Sequence, residues 1–370
     1  MGPFLSSLNL TDLGALLLLN RTPGIRPRSL RPFLDQGLPP SEVLEQIRSG
    51  VNPSWKDSLE ATQKVFNPEK EIELCAERGI EIVPLLSESY PPLLKEISDP
   101  PLLLYRKGNW DSSDEAAVAV VGSRHPSLYG LEQARKFSQK LSAWGFTLVS
   151  GFARGIDRAA HEGALQISYG RTIAVLGSGL DVIYPKEHQA LYEAISERGA
   201  LVSEFALGTP PFAENFPKRN RIIAGLSLGV FVVEAHARSG SLITAHQAIE
   251  EGREVFALPG RVDQLGSRGT HRLIKEGAIL TETAEEILET LEPQLWPLFS
   301  QDSSFSDPET DDEELQFLAF FERASTLDEI VRERNYPAPS AFSLLTRLEL
   351  KGLVRKRADG RYERPQARPV

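Results

Sequence analysis

The sequence predicts an α/β protein: an extended Rossmann-like, doubly wound and mostly parallel sheet, with a small helical N-terminal domain and a C-terminal winged helix. Three observations predict it. Short apolar runs rich in Val, Ile and Ala ("AAVAVVG", "FTLVSG", "RTIAVLG", "ALVSE", "GVFVVE", "EVFALPG") alternate with helical periodicity between about 114 and 290. Continuous apolar strands separated by helices fit a parallel sheet covered on both faces. Glycine-rich joints follow several of those strands, and the flanking regions on either side have a different texture.

Residues 1–110 carry helical periodicity broken by proline and glycine. "LTDLGALLLLNRTPGIRPRSLRPFLDQG" reads as two short helices around the turn Pro23-Gly24-Ile25. Such a pair either grips a DNA backbone through its turn amides, with Arg26, Arg28 and Arg31 nearby, or is a packing unit with a solvated basic edge. The Pro pairs in "GIEIVPLLSESYPPLLKEISDPPLLLYRKGN" make the rest of this region an extended lead-in to the central domain, 111–291.

In the central domain the joints "VVGSRHPSLYG", "VSGFARGIDRAAHEGA", "VLGSGLDVIYPKE" and "VVEAHARSGSLITAHQAIEEG" all connect strand to helix through Gly, with Ser, Thr or Asp placed to cap. In open α/β sheets ligands bind beyond the strands' carboxyl ends, where helix starts offer free amides and Gly lets a ligand approach. The candidate site residues come from these joints: Gly122, Ser123 and Arg124; Gly151, Arg154 and Gly155; Arg238, Ser239, Gly240 and Ser241. "NFPKRNRIIAGLS" adds Phe216, Lys218, Arg219, Asn220 and Arg221. Together they line one crevice with positive charge. Phe216 is either a stacking ring or a hydrophobic staple on the following helix, and Asn220 reads as a cap.

Several chemistries find no support. "GSGLDV" is a lone G-x-G, so a nicotinamide cofactor is not expected, and neither a P-loop nor metal-ligand spacing around His236 and His246 occurs. Asp157, Asp181, Glu204 and Glu234 lie near strand ends. Asp157 reads as a helix cap and, with His161 four residues on, as a structural pair, while Glu234 orients arginines. No catalytic residue, cofactor or metal is expected.

Residues 292–311, within "EPQLWPLFSQDSSFSDPETDDEE", have linker composition. The segment 312–370 reads as three helices and a hairpin turned at Asp359-Gly360, the winged-helix pattern. Its third helix either enters a DNA groove or serves protein contacts, and Glu349 on it opposes phosphate.

The whole chain has 370 residues, is 41% hydrophobic and carries a formal net charge of −10. That balance speaks against coating nucleic acid by bulk charge, yet permits a local basic groove. Cys75 is the single cysteine, and the N-terminus lacks signal-peptide character, so a reducing cytoplasm is the expected compartment.

"VAVVGSRHPSLYG", "LVSGFARGIDRAAHEGAL", "TIAVLGSGLDVIYPKEH", "LVSEFALGTPP", "FPKRNRIIAGLS", "FVVEAHARSGSLITA" and "GTHRLIKEGA" closely resemble the DNA-processing protein A family, DprA or Smf, in order across the central domain. The resemblance implies a SAM-like or helix-hairpin-helix-like N-terminal domain and a single-stranded DNA-binding protein of natural transformation (competence). It also implies a homodimer through the central domain that loads the RecA recombinase on incoming DNA. By the same resemblance Arg124 and the basic residues Lys218, Arg219 and Arg221 contact the strand. Two departures stand out: Phe152 replaces a usual glycine, where it would narrow the crevice, and His271 replaces a usual asparagine, where it would alter a cap or strand contact.

A rival of another class is a nucleotide phosphoribohydrolase resembling the lysine-decarboxylase-like enzymes. Their Pro-Gly-Gly-x-Gly-Thr-x-x-Glu loop falls on "ARSGSLITA", which puts Thr244 where the glutamate belongs. A neutral hydroxyl cannot stabilise the developing cation as a carboxylate does.

Overall fold

The computed structural model describes residues 9–34, 36–300, 312–322, 325–326, 329–330, 332, 344–345, 348–349, 353–357 and 361–364. They fall into two compact units divided at Ile287 and Leu288.

The first unit begins with five helices: α1 (Leu10–Arg21), α2 (Pro27–Leu34), α3 (Pro40–Arg48), α4 (Pro53–Val65) and α5 (Pro68–Glu77). Proline opens α3, α4 and α5, where its missing amide costs nothing. Asn52 and Asn67 cap the last two, accepting from Trp55 N at 3.2 Å and Lys70 N at 2.9 Å. Gly24 turns α1 into α2 with φ +87°, a conformation that a side chain resists.

The chain then runs through β1 (Ile80–Pro84), α6 (Pro92–Lys95), β2 (Leu103–Gly108), β3 (Ala117–Val121), α7 (Leu128–Ala143), β4 (Thr147–Ser150), α8 (Ile156–Leu165), β5 (Thr172–Val175), α9 (Gln189–Arg198) and β6 (Ala200–Ser203). It continues with α10 (Asn215–Gly225), β7 (Gly229–Val232), α11 (Gly240–Glu250), β8 (Glu254–Ala257), α12 (Arg268–Lys275), β9 (Ile279–Leu280) and α13 (Ala284–Ser300). All six apolar runs form strands, joined in one nine-stranded sheet ordered β1-β2-β6-β5-β4-β3-β7-β8-β9. The strands from β6 to β9 are parallel, while β2 pairs antiparallel with β6 and with β1.

Both faces of the sheet are covered, and alternate residues of one strand serve opposite cores. Ala174 belongs to the core that holds residues of α1, α3 and α9, whereas Ile173 and Val175 belong to the one that holds residues of α10 and α11. The N-terminal helices therefore share a core with the sheet, and β1 and β2, drawn from the lead-in, extend it.

β3 leads through β4 and β5 to β6 on one side, and β7, β8 and β9 continue on the other. The order reverses between β3 and β7. A crevice necessarily opens beyond their carboxyl ends.

The second unit holds α14 (Asp312–Leu318), a 3-10 turn over Ala319–Glu322, and the antiparallel pair β10 (Arg355–Lys356) and β11 (Tyr362–Glu363). Phe317, Phe321, Leu344, Leu348, Val354 and Tyr362 share its core. Of the linker 292–311, residues 292–300 instead continue α13, and 301–311 lie outside the described residues, as do the hairpin tip at Asp359-Gly360 and most of the segment read as the third helix. No helix among the described residues is long and apolar enough to cross a membrane.

Candidate nucleic-acid interface

A cavity of about 640 Å³ occupies the switch point between β3 and β7. Gly122 and Arg124 line it from the loop after β3, His236, Arg238, Ser239 and Gly240 from the loop after β7, and Phe216, Arg219 and Asn220 from α10. Ser123 N donates to Glu234 O at 2.7 Å, which laces the two strand-end loops together.

Phe216 organises the wall. The Arg124 guanidinium lies 5.0 Å from its ring centroid and that of Arg219 5.9 Å, while the Tyr184 ring is 6.0 Å away. Gly177 lies under the ring, where a Cβ would come within 3.0 Å of it. Phe216 is thus no staple onto α10; it packs on the loop after β5 and carries cations. Arg124, Lys218 and Arg238 are exposed and have no ion-pair partner among the described residues. Arg154 is exposed too, but pairs with Glu187 at 2.5 Å and lies 6.0 Å from the Tyr184 ring in a small adjoining pocket.

Two expected strand contacts are corrected. Arg219 is 3% exposed and donates to the carbonyls of Gly151 and Val175, with Nε on Asn220 Oδ1 at 3.1 Å. Burial pulls its pKa down to about 10, against the opposing pull of Asp157, so it stays charged at neutral pH. Arg221 turns behind α10, its two terminal nitrogens on Glu204 at 2.8 and 2.7 Å and its Nε on Asp99 O at 2.9 Å. Helix geometry and nearby acceptors explain the split. At 100° per residue, Arg219 leaves α10 on a different face from Lys218, whereas Arg221, three residues on, shares the Lys218 face and is drawn away by Glu204 and Asp99 O. Lys218 alone of the three points outward and is exposed.

The glycines divide as well. A Cβ on Gly151 would sit 2.7 Å from the Arg219 guanidinium and from Asp157 Oδ2, so Gly151 makes room for two buried charged side chains. Gly155 turns the chain into α8 at φ +77° against Ser123 O. Gly240 differs: nothing lies within 4 Å of where its Cβ would stand. Ser239 caps α11 there, its Oγ 2.8 Å from Ser241 Oγ. Asn220, read as a cap, instead ties α10 to that start, donating from Nδ2 to Gly240 O at 3.3 Å.

The carboxylates near the strand ends are all engaged. Asp157 accepts from Ala153 N at 3.3 Å, so it holds the loop before α8; burial raises its pKa despite Arg219. Asp181 pairs with Arg78 and accepts from Gly208 N. Glu234 does not orient arginines: it closes the start of α7, accepting from Ser127 N at 3.1 Å and Ser127 Oγ at 2.7 Å. In dinucleotide-binding sheets a pyrophosphate takes the helix start after the first strand, and here a protein carboxylate fills it. His161 does not pair with Asp157. Its Nδ1 meets Thr172 Oγ1 at 2.6 Å, and burial drives its pKa to about 3.

Phe152 leaves the crevice unnarrowed. It adopts φ 59°, the left-handed region that suits glycine, and turns its ring into the core against His188 at 5.2 Å. His271 Nε2 contacts Gly260 O at 2.9 Å, holding the loop after β8. The sequence reading missed Tyr184, whose ring lines both pockets; its one signal was a Tyr-Pro pair in the glycine loop after β5.

Fold and site together define a Rossmann-like protein with a cationic, ring-lined crevice at its topological switch point. A family model described as DNA recombination-mediator protein A matches residues 81–292, and one described as DprA winged helix domain matches 301–360. Protein Smf of Escherichia coli is 46% identical over 297 residues, covering 78% of this chain and 79% of that one. DNA processing protein DprA of Streptococcus pneumoniae is 49% identical over 208 residues, 56% of this chain and 73% of that one. The crystal structure of the pneumococcal protein superposes with a TM-score of 0.66 at 38% identity, covering 76% of this chain and 98% of that one. A structure of Helicobacter pylori DNA processing protein A, described for its single-stranded DNA binding mode, gives 0.52 at 29% identity over 58% and 96%. The chain belongs to the DNA-processing protein A (DprA/Smf) family.

Proposed function

We propose that this protein binds single-stranded DNA by its backbone in the switch-point crevice, performs no chemistry on it, and loads RecA on DNA taken up in transformation. The observation that carries the binding step is Arg124 resting on Phe216 at 5.0 Å, with Lys218 and Arg238 exposed nearby. A base stacking on that ring takes the guanidinium's place and releases Arg124 to the adjacent phosphate. The relative from Helicobacter pylori, described as a single-stranded DNA binder, supports the same ligand here. Family membership supports the RecA step, a homodimer through the Rossmann-like domain and a cytoplasmic setting. Against the phosphoribohydrolase reading, Thr244 lines the crevice as a buried neutral side chain where that enzyme needs its glutamate.

Fluorescence anisotropy with a labelled thymidylate oligonucleotide tests the binding step. Four cations, Arg124, Arg154, Lys218 and Arg238, engaging four phosphates give a log–log salt slope of about −2.8, from ~0.7 per phosphate on a single strand. A flat salt dependence contradicts the groove, and release of free base from AMP by the purified protein contradicts the binding-only reading. RecA filament formation on the same oligonucleotide, with and without the protein, tests loading.

A further inference from the structure

The segment Pro91–Pro101, which runs through α6 toward β2, is fastened across the backs of the two helices that open onto the crevice. At the far end of α11, Glu251 accepts from Ser98 N at 2.8 Å and Ser98 Oγ at 2.6 Å, and Arg253 donates to Leu93 O at 2.9 Å. On α10, Arg221 reaches Asp99 O at 2.9 Å and its own Lys218 O at 2.9 Å, besides the two bonds to Glu204. A Cβ on Gly225 would stand 2.7 Å from Leu94 Cδ1 and 2.9 Å from Ile97 Cγ2, so α6 seats directly on the end of α10. Tyr90 Oη donates to Pro101 O at 2.9 Å, which joins the two ends of the segment. The Arg28 amide of α2 donates to Asp99 Oδ1 at 3.2 Å, linking the segment to the N-terminal helices.

We infer that Pro91–Pro101 is a strap that fixes the spacing of α10 and α11, and that Arg221 is a positioning residue for strand binding, acting through Lys218 and Asp99. This deepens the strand-binding reading and rests on it. The side chains of Arg221 and Glu204 are each 13% exposed. Moving Arg221 out to a phosphate strands a carboxylate in a largely dry site, so its charge is committed to the fold. Its two-pronged contact with Glu204, together with Asp99 O and Lys218 O, sets the angle at which α10 offers Lys218 to the crevice.

Affinity and salt slope separate positioning from contact. With the full-length protein, below the melting temperature of each variant, Arg221→Gln weakens thymidylate-oligonucleotide binding about tenfold with the parental salt slope, whereas losing a phosphate contact flattens the slope by ~0.7. Arg221→Lys, which keeps a charged donor for Glu204 and for the carbonyls of Asp99 and Lys218, retains more affinity than Arg221→Gln. A slope flattened in Arg221→Gln, no advantage of Arg221→Lys over Arg221→Gln, or unchanged affinity overturns the inference. If the Arg221 variants do not fold, Asp99→Asn and Ser98→Ala decide it: weaker binding at the parental slope supports the strap, and unchanged binding overturns it. Lys218→Glu tests the underlying reading. If it leaves binding intact the crevice itself is wrong and the strap falls with it; if it weakens binding while the strap variants do not, the strap alone is wrong.

Discussion

Two helix starts lie on the same edge of the sheet and face opposite circumstances. α7, after β3, begins with its Ser127 amide and hydroxyl given to Glu234, so its positive end is spent inside the protein. α11, after β7, begins at Gly240 beside Arg238 with no atom within 4 Å of the missing side chain. Both starts follow one local grammar of apolar strand, glycine and serine cap. Their difference lies in who supplies the anion. α8 behaves like α7, because Asp157 holds the loop before it. A glycine turn with a cap therefore marks a helix start that favours negative charge, and only the packing shows whether the chain or a ligand brings it.

The largest expected effect tests the open side. Arg124 belongs to the loop before the closed α7, yet leans onto Phe216 of α10. Arg124→Glu is expected to weaken oligonucleotide binding about a hundredfold, near 3 kcal/mol for a charge-assisted contact turned repulsive. Thermal melting should stay within about 1 kcal/mol of the parent, as for an exposed residue whose one ring contact is a surface cation–π pair. Parental affinity in anisotropy would mean that the strand avoids this side of the switch point.

On the closed side the expected losses are in stability. Phe152→Gly removes a buried ring, a loss of about 3–5 kcal/mol, and relieves about 1–2 kcal/mol of left-handed strain, leaving a net cost of about 1–4 kcal/mol. Because the ring faces His188 and Tyr192, strand affinity should not move. Denaturant titration reads the first, anisotropy the second, and a change in affinity would place Phe152 in the crevice after all. Glu234→Ala should cost about 2 kcal/mol for a lost charged acceptor at a helix start. It also vacates that start, so added sulfate should raise the melting temperature of the variant more than that of the parent. Equal responses would break the contrast between the two starts.

Much of this architecture was legible in the sequence, for a physical reason. A parallel strand buried on both faces must be apolar throughout, so β3 to β8 announce themselves, and glycine at their ends marks the turns. β1 and β2 read as lead-in because Pro84, Pro91 and Pro92 signal extended chain without saying what it pairs with. At the site, composition located the charges and could not aim them. Arg219 and Arg221 follow Lys218 within three residues, yet one turns down to Gly151 O and Val175 O and the other back to Glu204. Those partners lie 68, 44 and 17 residues away, and the Glu234–Ser127 closure spans 107, distances over which no local pattern reports.

The smallest expected effect bears most directly on the open start. Alanine at position 240 meets no atom within 4 Å and enters the first turn of α11 at an ordinary φ. Gly240→Ala should therefore leave stability unchanged or raise it by about 0.5 kcal/mol, since alanine gives up less backbone freedom on folding. A sugar-phosphate backbone that comes close to the α11 amides meets the added methyl group, and affinity should drop about fivefold, near 1 kcal/mol. The two readouts thus move in opposite directions, which general damage to the fold cannot produce. If melting and affinity both hold at parental values, the strand does not use the α11 start, and the ligand's anion must be met by Arg124, Arg154, Lys218 and Arg238 alone.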